Sequence, residues 1–348
     1  MDKSPPNGCP PDPGSDELAA LRAERDRLVC ERNLLQTELA AYRCGWPPGH
    51  FYSPVPSVAE IKQEEKRIFE GFGPTLAGID LNAAGQIQLW HELARYYPEQ
   101  PFAAQKLPGL NYCFDNPNFT YGEALVLFCL LRWLRPRRII EIGSGYSSCA
   151  LLDTNARFFA NGIHCAFIDP HPELLHSLVG EANRTQAEFV RSRVQDVDLA
   201  RFAELEERDI IFVDSSHVSK VHSDVNWIVF EILPVLRPGV FVHFHDVCYP
   251  FEYPREWIYR GRAWNEAYLI RAFLLYNRAF RIRVFNSYLA LFHQELLAET
   301  MPLCLRNPGT SLWLEKTTIA GPVRPAPAPS RTSIGSTRHR MKPGEAAP

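Results

Sequence analysis

Short apolar runs that end in glycine or in acidic residues recur along the middle of the chain. The first run, residues 138–142, stops at the tight turn Gly143-Ser144-Gly145, and a stretch without Gly or Pro follows. This pattern is typical of a buried strand that turns directly into a helix. Similar runs predict strands at residues 164–169, 188–193, 209–214 and 239–246. Because strands that alternate with helices form parallel sheets, we expect an α/β fold with helices on both faces of a mostly parallel sheet.

The end of this alternation predicts an antiparallel edge. Residues 280–285 and 288–292 have the composition of two closing strands, joined tightly through Asn286 and Ser287. A hairpin of this kind adds an antiparallel strand to an otherwise parallel sheet. The predicted helices of this part of the chain lie at residues 124–134, 218–236 and 264–277.

The N-terminal part of the chain has a different pattern. Residues 1–15 are rich in Pro and Gly, and we expect them to be disordered. Residues 16–44 form a predicted amphipathic helix, in which apolar side chains recur every seven positions at Leu21, Leu28, Leu35 and Tyr42. Arginines occupy part of the second seam, so a short coiled-coil homodimer and a lone solvated helix both stay open. The remaining predicted segments are a helical extension at 45–110, the main domain at 111–316 and a disordered tail at 317–348.

The amino-acid composition and the net charge argue against several classes of protein. The 348 residues are 46% hydrophobic, enough for a large core, and the formal net charge of −3 argues against a nucleic-acid binder driven by bulk electrostatics. No apolar run is long enough to span a membrane, and the N-terminus has no apolar core of a secretory signal. The nine cysteines are scattered without a C-x-x-C pair, which is typical of a reduced cytoplasmic protein.

The glycine turn after the first strand has the composition of a cofactor cradle. Gly143 and Gly145 permit positive φ and bring a ligand close to bare backbone, with Ser144 between them. The sixth position of the dinucleotide pattern G-x-G-x-x-G is Ser148, so that fingerprint is incomplete. Glu141, two residues before the turn, can order the loop or accept a hydrogen bond from a ligand's ammonium group.

Acidic residues and histidines follow the other predicted strands. Asp169 is placed to accept both hydroxyls of a ribose, and Asp196 could meet an adenine amino group. Asp214 ends the fourth strand, with His217 three residues later. His245 and Asp246 end the fifth. Because the carboxyl ends of parallel strands share one edge, we expect these groups to converge there.

Two loops are candidates for covering such a site. The polar loop at residues 115–123, which includes Tyr121, either folds over a bound cofactor or is a simple connection. Residues 247–264 are crowded with aromatic, proline and arginine residues, which suit an acceptor substrate or a lid that only packs on the sheet. The acceptor-binding candidates are Tyr249, Tyr253, Arg255 and Trp257.

The motifs at the predicted strand ends together resemble those of a known family. The motifs EIGSGYSS, FIDP, VQDV, FVDSSH and FVHFHD look like a class I S-adenosylmethionine-dependent methyltransferase across about residues 115–293, most of all a largely uncharacterised bacterial branch. The resemblance implies a Rossmann-like seven-stranded sheet, mostly parallel, with an antiparallel last strand. It also implies that Glu141, Gly143 and Gly145 hold the methionine part of the cofactor, that Asp169 holds its ribose and that Asp196 lies near its adenine.

A second resemblance concerns mechanism. Metal-dependent sugar O-methyltransferases are similar in the spacing after strands four and five, which implies Asp214 and Asp246 as ligands of Mg²⁺ or Mn²⁺ and His217 as general base. The sequence departs at His245, where an acidic ligand is usual. His245 either shifts the metal preference towards Mn²⁺, Fe²⁺ or Zn²⁺ or means that no metal binds.

The predicted function is therefore S-adenosylmethionine-dependent methyl transfer to a hydroxyl of a small polar or glycosylated acceptor, with His217 and Asp214 as catalytic residues. Three alternatives stay open. His222-x-Asp224 matches half of the ligand set of a non-haem iron oxygenase. An NAD-dependent or nucleotide-sugar oxidoreductase could use the glycine turn. A cofactor-binding scaffold without activity is the third.

Overall fold

A computed structural model describes residues 13–41, 45–180 and 185–318 of the chain. Contacts divide the chain into two compact units, one made of residues 1–73 and 252–265 and the other of residues 74–251 and 266–348. Residues 1–12 and 319–348, which cover most of the two predicted disordered ends, lie outside the described residues, as does Tyr42.

The first unit is helical and contains the predicted N-terminal helix. Leu21, Leu28 and Leu35 are more than half exposed along it, so the heptad stripe is present and the coiled coil stays a prediction. The helices of this unit are α1 Pro13–Ala41, α2 Val58–Gln63, α3 Glu65–Phe69 and, from the later segment, Arg255–Tyr259. None of the helices in the described ranges combines the length and the apolar character needed to cross a bilayer.

The second unit is built on one seven-stranded sheet with the order β3-β2-β1-β4-β5-β7-β6. Strands β1 to β5 pair in parallel, and β7 runs antiparallel to both β5 and β6, which confirms the predicted fold class. The strands are β1 Arg138–Ile142, β2 His164–Ile168, β3 Glu188–Val190, β4 Ile210–Val213, β5 Phe241–Phe244, β6 Phe280–Phe285 and β7 Leu312–Lys316.

Helices surround the sheet. Within the described residues, three 3-10 turns supplement them: Tyr97–Glu99, Val194–Asp196 and Pro302–Leu305. In chain order the helices of this unit are α4 Ala83–Ala94, α5 Tyr121–Leu134, α6 Tyr146–Phe159, α7 Glu173–Leu178, α8 Ala200–Ala203, α9 Asp224–Trp227, α10 Leu233–Val235, α11 Glu266–Leu274, α12 Asn286–Phe292 and α13 Gln294–Thr300.

The core lies on both faces of the central strands. Every residue of β4 and β5 is buried, which is why these strands are apolar without alternation except at His243. Helix α5 is buried over nearly its whole length and packs on α6. The sheet order changes direction between β1 and β4, so the carboxyl ends of these two strands open a crevice where ligands of such sheets bind.

The predicted closing hairpin is wrong in its second strand. Residues 288–292 belong to helix α12, and the last strand is β7, Leu312–Lys316. Tyr288 and Phe292 stand one helical turn apart with ring centroids 5.2 Å from each other, a contact that favours the helix. The prediction of a last, antiparallel strand beside residues 280–285 is therefore correct, but that strand lies at residues 312–316 and not at residues 288–292.

The predicted long helix at residues 218–236 is shorter and less regular. Its first turn begins at Asp224, because the hydroxyl of Ser223 accepts a hydrogen bond from the Asn226 N–H at 3.2 Å and caps it. A π-helical stretch, Ile228–Ile232, interrupts it before α10. Residues 215–223 are consequently a loop at the end of β4, free to contribute side chains to the crevice.

Candidate functional site

The glycine turn after β1 is held against the end of β4. Gly143 has φ +82°, and a Cβ at this position would overlap the main-chain carbonyl of Asp214. Its N–H donates to the Ile168 carbonyl at 3.0 Å. The turn thus brings the ends of three strands together, and only glycine fits because both the backbone angle and the space exclude a side chain.

A cavity of about 670 Å³ opens beside this turn. That volume suits a nucleoside-sized ligand. Gly143, Ser144, Asp169 and Asp214, all predicted from the sequence, line it, together with Ile142, Ile168, Pro170, His171, Arg193, Val194, Gln195, Ser215, Ser216, Lys220, His222, Ser223 and Asp224.

Asp169 is fixed in place at the end of β2. One carboxylate oxygen accepts a hydrogen bond from the Ser144 hydroxyl at 2.6 Å, and the other accepts from the His171 N–H at 2.7 Å. Each oxygen of a carboxylate has a second lone pair. Asp169 therefore keeps acceptor capacity on the cavity side while its rotamer is locked.

Glu141 lies fully buried behind the turn. One of its oxygens accepts from the Ser147 hydroxyl, whereas Oε2 has no hydrogen-bond partner among the described residues. Burial raises the pKa of Glu141 to about 8, against the lowering effect of Ser147 and Ser148. A buried acceptor without a donor is costly, so this oxygen is suited to meeting a donor on a ligand.

Four predicted cofactor contacts are not among the residues that line this cavity: Glu141, Gly145, Tyr121 and Asp196. The Tyr121 hydroxyl donates to Asp115 at 2.8 Å and accepts from Arg306 at 2.9 Å, which fixes it at the start of α5. Asp196 forms an ion pair with Arg193 at 2.8 Å, and Arg193 does line the cavity. Asp196 therefore does not line the cavity itself but is paired with a residue that does.

Arg193 and Lys220 line the cavity without having been predicted as site residues, and so does His222, which the sequence suggested only as half of an oxygenase ligand set. Lys220 and His222 were missed because residues 218–236 were assigned to one helix. Ser223 followed by Asp224 is a helix-start signal that would have freed the preceding residues for a loop. Asp224 itself accepts from the Ser216 N–H at 2.7 Å and from the Ser216 hydroxyl, so it is not paired with His222 in the way an oxygenase site requires.

The second feature of this edge is the histidine–aspartate cluster, formed by Asp214, His217, His245 and Asp246. Nε2 of His217 lies 3.5 Å from Asp214 Oδ1 and 3.6 Å from Asp246 Oδ2. Nδ1 of His245 lies 3.2 Å and 3.7 Å from the same two oxygens. The sequence prediction that these four residues meet at one edge is therefore correct in geometry.

Two buried carboxylates lie close to the outer ring nitrogens of the histidines, those that do not face Asp214 and Asp246. Glu266 Oε2 lies 2.9 Å from His217 Nδ1, and Glu123 Oε1 lies 3.1 Å from His245 Nε2. The second pair is at ion-pair distance but outside hydrogen-bond geometry, since His245 Nε2 has no hydrogen-bond partner among the described residues. Neither glutamate was predicted, because each belongs to a helix distant in sequence. The sequence signal that could have identified Glu123 is its position as the single acidic residue of the otherwise largely apolar helix α5.

The charged groups of the cluster shift one another's pKa values. Burial alone would lower the pKa of His217, but the carboxylates of Asp214, Glu266 and Asp246 raise it to about 10. The same carboxylate environment outweighs burial at His245 and raises its pKa. Burial would raise the pKa of Asp214, yet the two histidines hold it well below its usual range. His217 is therefore mainly cationic at neutral pH.

His243 differs from its neighbour His245. Its ring stacks on Phe212 with centroids 3.7 Å apart, and its Nε2 lies 2.8 Å from the Ser311 hydroxyl. Complete burial lowers the pKa of His243. It is a neutral core residue, in keeping with the packing role that the alternation along β5 allows.

The predicted acceptor residues fall into both units. Tyr249 is buried beside Tyr288 and Phe292 in the second unit, with ring centroids 5.2 Å and 5.4 Å away. In the first unit, Tyr253 and Trp257 have ring centroids 6.4 Å apart, and Arg255 pairs with Glu256 at 3.1 Å. Their contact with an acceptor stays a prediction.

Comparison with known proteins identifies one matching domain family and one relative of known sequence. A family model described as a methyltransferase domain matches residues 140–247. An uncharacterised protein of Archaeoglobus fulgidus is 38% identical over 173 residues, which cover 47% of this chain and 76% of the archaeal protein. The match covers β2 to β5, most of β1, the glycine turn and the four residues Asp214, His217, His245 and Asp246.

Two solved structures illustrate the wider similarity. The O-methyltransferase TomG of Streptomyces achromogenes, in complex with S-adenosylmethionine, is 16% identical with a TM-score of 0.37, covering 66% of this chain and 89% of that one. An O-methyltransferase of Bacillus cereus in complex with S-adenosylhomocysteine is 15% identical with a TM-score of 0.34, covering 74% and 98%. Likeness at this level carries no conclusion about substrate or metal. Residues 140–247 therefore carry a methyltransferase domain, and the chain belongs to the same family as the archaeal protein.

Proposed function

We propose that the protein transfers a methyl group from S-adenosylmethionine to a hydroxyl oxygen of a small polar or glycosylated acceptor. One observation carries the proposal. Asp214 lines the 670 Å³ cavity and also belongs to the histidine–aspartate cluster. The place for a methyl donor therefore adjoins groups that can exchange a proton with an acceptor hydroxyl.

The residues around the cavity fit the cofactor. Glu141 Oε2 is a buried acceptor without a donor, which suits the ammonium group of the methionine part. Gly143 offers bare backbone at the turn, with Ser144 and Gly145 completing it, and Asp169 keeps acceptor capacity for the ribose hydroxyls. Asp196, through Arg193, would border the adenine, and Tyr121 would help to shape the loop above it. When bound, the sulfonium supplies an electrophilic methyl group.

The cluster would prepare the acceptor. A neutral hydroxyl is a poor nucleophile, and its proton must leave as the oxygen attacks. We propose that the neutral form of His217, which becomes more populated as the pH rises towards its pKa of about 10, takes up this proton, while Asp214 and Glu266 fix the imidazole. His245 and Asp246 complete the wall that faces the acceptor, and Tyr249 is proposed to contact its ring.

Calorimetric titration of S-adenosylmethionine and S-adenosylhomocysteine into the full chain tests the cofactor. Wild type should bind both, and Asp169→Ala should lose most of the affinity while keeping its fold. His91→Ala is the control, because His91 is exposed on α4 outside the site. Binding of NAD in place of S-adenosylmethionine would overturn the proposal in favour of an oxidoreductase.

A second arm separates an enzyme from a scaffold. Labelled S-adenosylmethionine is offered together with pools of hydroxylated and glycosylated small molecules, and transfer of label is followed. Transfer by wild type that His217→Ala abolishes supports the catalytic assignment. Tight cofactor binding combined with label transfer that His217→Ala and Asp214→Asn leave unchanged would refute the role of the cluster.

A further inference from the structure

We infer that the guanidinium of Arg262 is a binding site for an oxyanion, the carboxylate or phosphate group of a small molecule. The site lies in the first unit, within residues 252–265. It goes beyond the proposed function and does not depend on it, because no residue of the cavity or of the histidine–aspartate cluster takes part in it.

The end of a short helix brings Arg262 over the ring of Trp257. The chain turns out of the helix Arg255–Tyr259 at Gly261, which has φ +85°. The Gly261 N–H donates to the Ile258 carbonyl at 2.9 Å, and the Arg262 N–H donates to the Trp257 carbonyl at 3.1 Å. This pair of hydrogen bonds is the Schellman motif, which brings the residue after the glycine close to the residue five positions before it. The position of Arg262 therefore follows from the local sequence.

Two tryptophan rings hold the guanidinium. Its central carbon lies 4.7 Å from the centroid of the Trp257 ring and 4.6 Å from that of the Trp264 ring. The two rings are inclined at 74° to each other, with centroids 5.5 Å apart, so they form two walls of a corner. A guanidinium stacks favourably on aromatic faces. Contacts with two rings therefore restrict the orientation of Arg262 before any ligand arrives.

The N–H donors of this guanidinium have no acceptor. Arg262 is exposed, and among the described residues its side chain has no ion-pair or hydrogen-bond partner. The acidic residues of the same segment make other contacts: Glu256 pairs with Arg255 at 3.1 Å, and Glu252 accepts from the Tyr253 N–H at 3.0 Å. Aromatic rings contact a guanidinium through its faces, whereas its donors lie in its plane. Arg262 is therefore an oriented cation whose hydrogen bonds are still to be made.

The geometry of the donors decides the class of ligand. A guanidinium presents parallel N–H groups that match two oxygens of a carboxylate or of a phosphate. Residues 252–265 contain three arginines and two glutamates, and the net positive charge of the segment also favours an anion. A cationic ligand is disfavoured, because Arg262 already occupies the ring faces that such a ligand would use.

The test titrates the full chain with sodium phosphate and, separately, with sodium acetate, at an ionic strength kept constant with sodium chloride. Tryptophan fluorescence is the readout, since an anion bound to Arg262 changes the surroundings of two indole rings. We expect a saturable change with at least one of the two oxyanions and none with chloride, which has no pair of oxygens. Saturation by phosphate alone assigns a phosphate ester, by acetate alone a carboxylate, and by both a site for either group. No saturable change with either oxyanion would overturn the site.

Arg262→Lys is the decisive variant, because it keeps the charge and removes the planar pair of donors. It should weaken anion binding by about tenfold, the loss of one charge-assisted hydrogen bond, and Arg262→Ala should abolish the response. Trp257→Leu should also weaken binding, since it leaves the guanidinium less restricted. Arg260→Lys is the matched control at another exposed arginine of the segment and should bind like wild type. Circular dichroism checks the fold, and Arg262→Lys keeps the test decisive if Arg262→Ala does not fold.

The cavity of the second unit is the other place where an oxyanion could bind, because Arg193 and Lys220 line it. Lys220→Ala separates the two places and should keep the saturable response if the anion binds to Arg262. A response that Lys220→Ala abolishes and Arg262→Lys leaves unchanged would overturn the proposed site. Wild-type affinity in both Arg262→Lys and Arg262→Ala would overturn it as well.

Discussion

Nδ1 of His217 lies 2.9 Å from Oε2 of Glu266, a residue 49 positions further along the chain. The main-chain N–H of Glu266 also donates to the His217 carbonyl, at 3.1 Å. One buried residue thereby fixes both the ring and the backbone of His217, which has φ +59°. Such a backbone angle is uncommon outside glycine and persists where surrounding contacts hold it.

Glu266→Ala should destabilise the protein strongly, by about 3 kcal/mol in the free energy of unfolding, because it leaves a cationic histidine and the Ser215 hydroxyl without their buried partner. Glu266→Gln should lose clearly less, since the amide oxygen still accepts a hydrogen bond. Urea unfolding of both variants checks this. Equal losses for Ala and Gln would show that packing, not the acceptor, is what Glu266 contributes.

Glu141→Gln should stabilise the ligand-free protein increasingly as the pH rises. The pKa of Glu141 is raised by burial to about 8, from an ordinary 4.5, so the folded state holds the proton more tightly than the unfolded chain. The stability gained from that proton is complete below the unfolded pKa and is lost as pH approaches the folded one, by about 1.4 kcal/mol per pH unit.

Glutamine does not ionise, so the difference in free energy of unfolding between Glu141→Gln and wild type should grow from about pH 5 to about pH 8. Chemical unfolding across that window measures it, with exposed Glu231→Gln as the matched control. A difference that does not change with pH would contradict the buried, protonated carboxyl.

Cofactor binding should release a proton near neutral pH. A ligand ammonium beside Glu141 favours the carboxylate, because an opposite charge stabilises the ionised form. Calorimetry of S-adenosylmethionine in buffers of different ionisation enthalpy reports the number of protons released. Glu141→Gln should abolish the release. Identical proton counts for the variant and wild type would place the ammonium group elsewhere.

Gly143→Ala should abolish cofactor binding and reduce stability by about 1–3 kcal/mol, the range for a side chain forced into an unfavourable backbone region. The added Cβ would also displace the Asp214 carbonyl and thus the end of β4. Thermal unfolding and calorimetry measure the two effects. Gly45→Ala, at a glycine with open space and no positive φ, should be close to wild type. Wild-type affinity in Gly143→Ala would refute the cradle.

Sequence patterns predicted β1, β2, β4 and β5 well. The buried positions of these strands are apolar except at Glu141 and His243. Apolar runs of this kind in parallel strands are buried on both faces, so the local signal and the tertiary environment agree. β7 was missed because residues 288–292 have similarly apolar composition. Only the contacts of Tyr288 and Phe292 along one helix face, and the pairing of Leu312 with Phe244, decide between the two segments.

By itself, the sequence determined the fold class, the glycine turn with Glu141 and Asp169, and the meeting of Asp214, His217, His245 and Asp246 at one edge. These follow from local patterns, since the carboxyl ends of parallel strands necessarily lie together. Tertiary structure alone decided that Glu123 and Glu266 stand behind the histidines and that Lys220 and His222 line the cavity. Such contacts join helices and loops distant in sequence, and no local periodicity encodes which buried carboxylate reaches which ring.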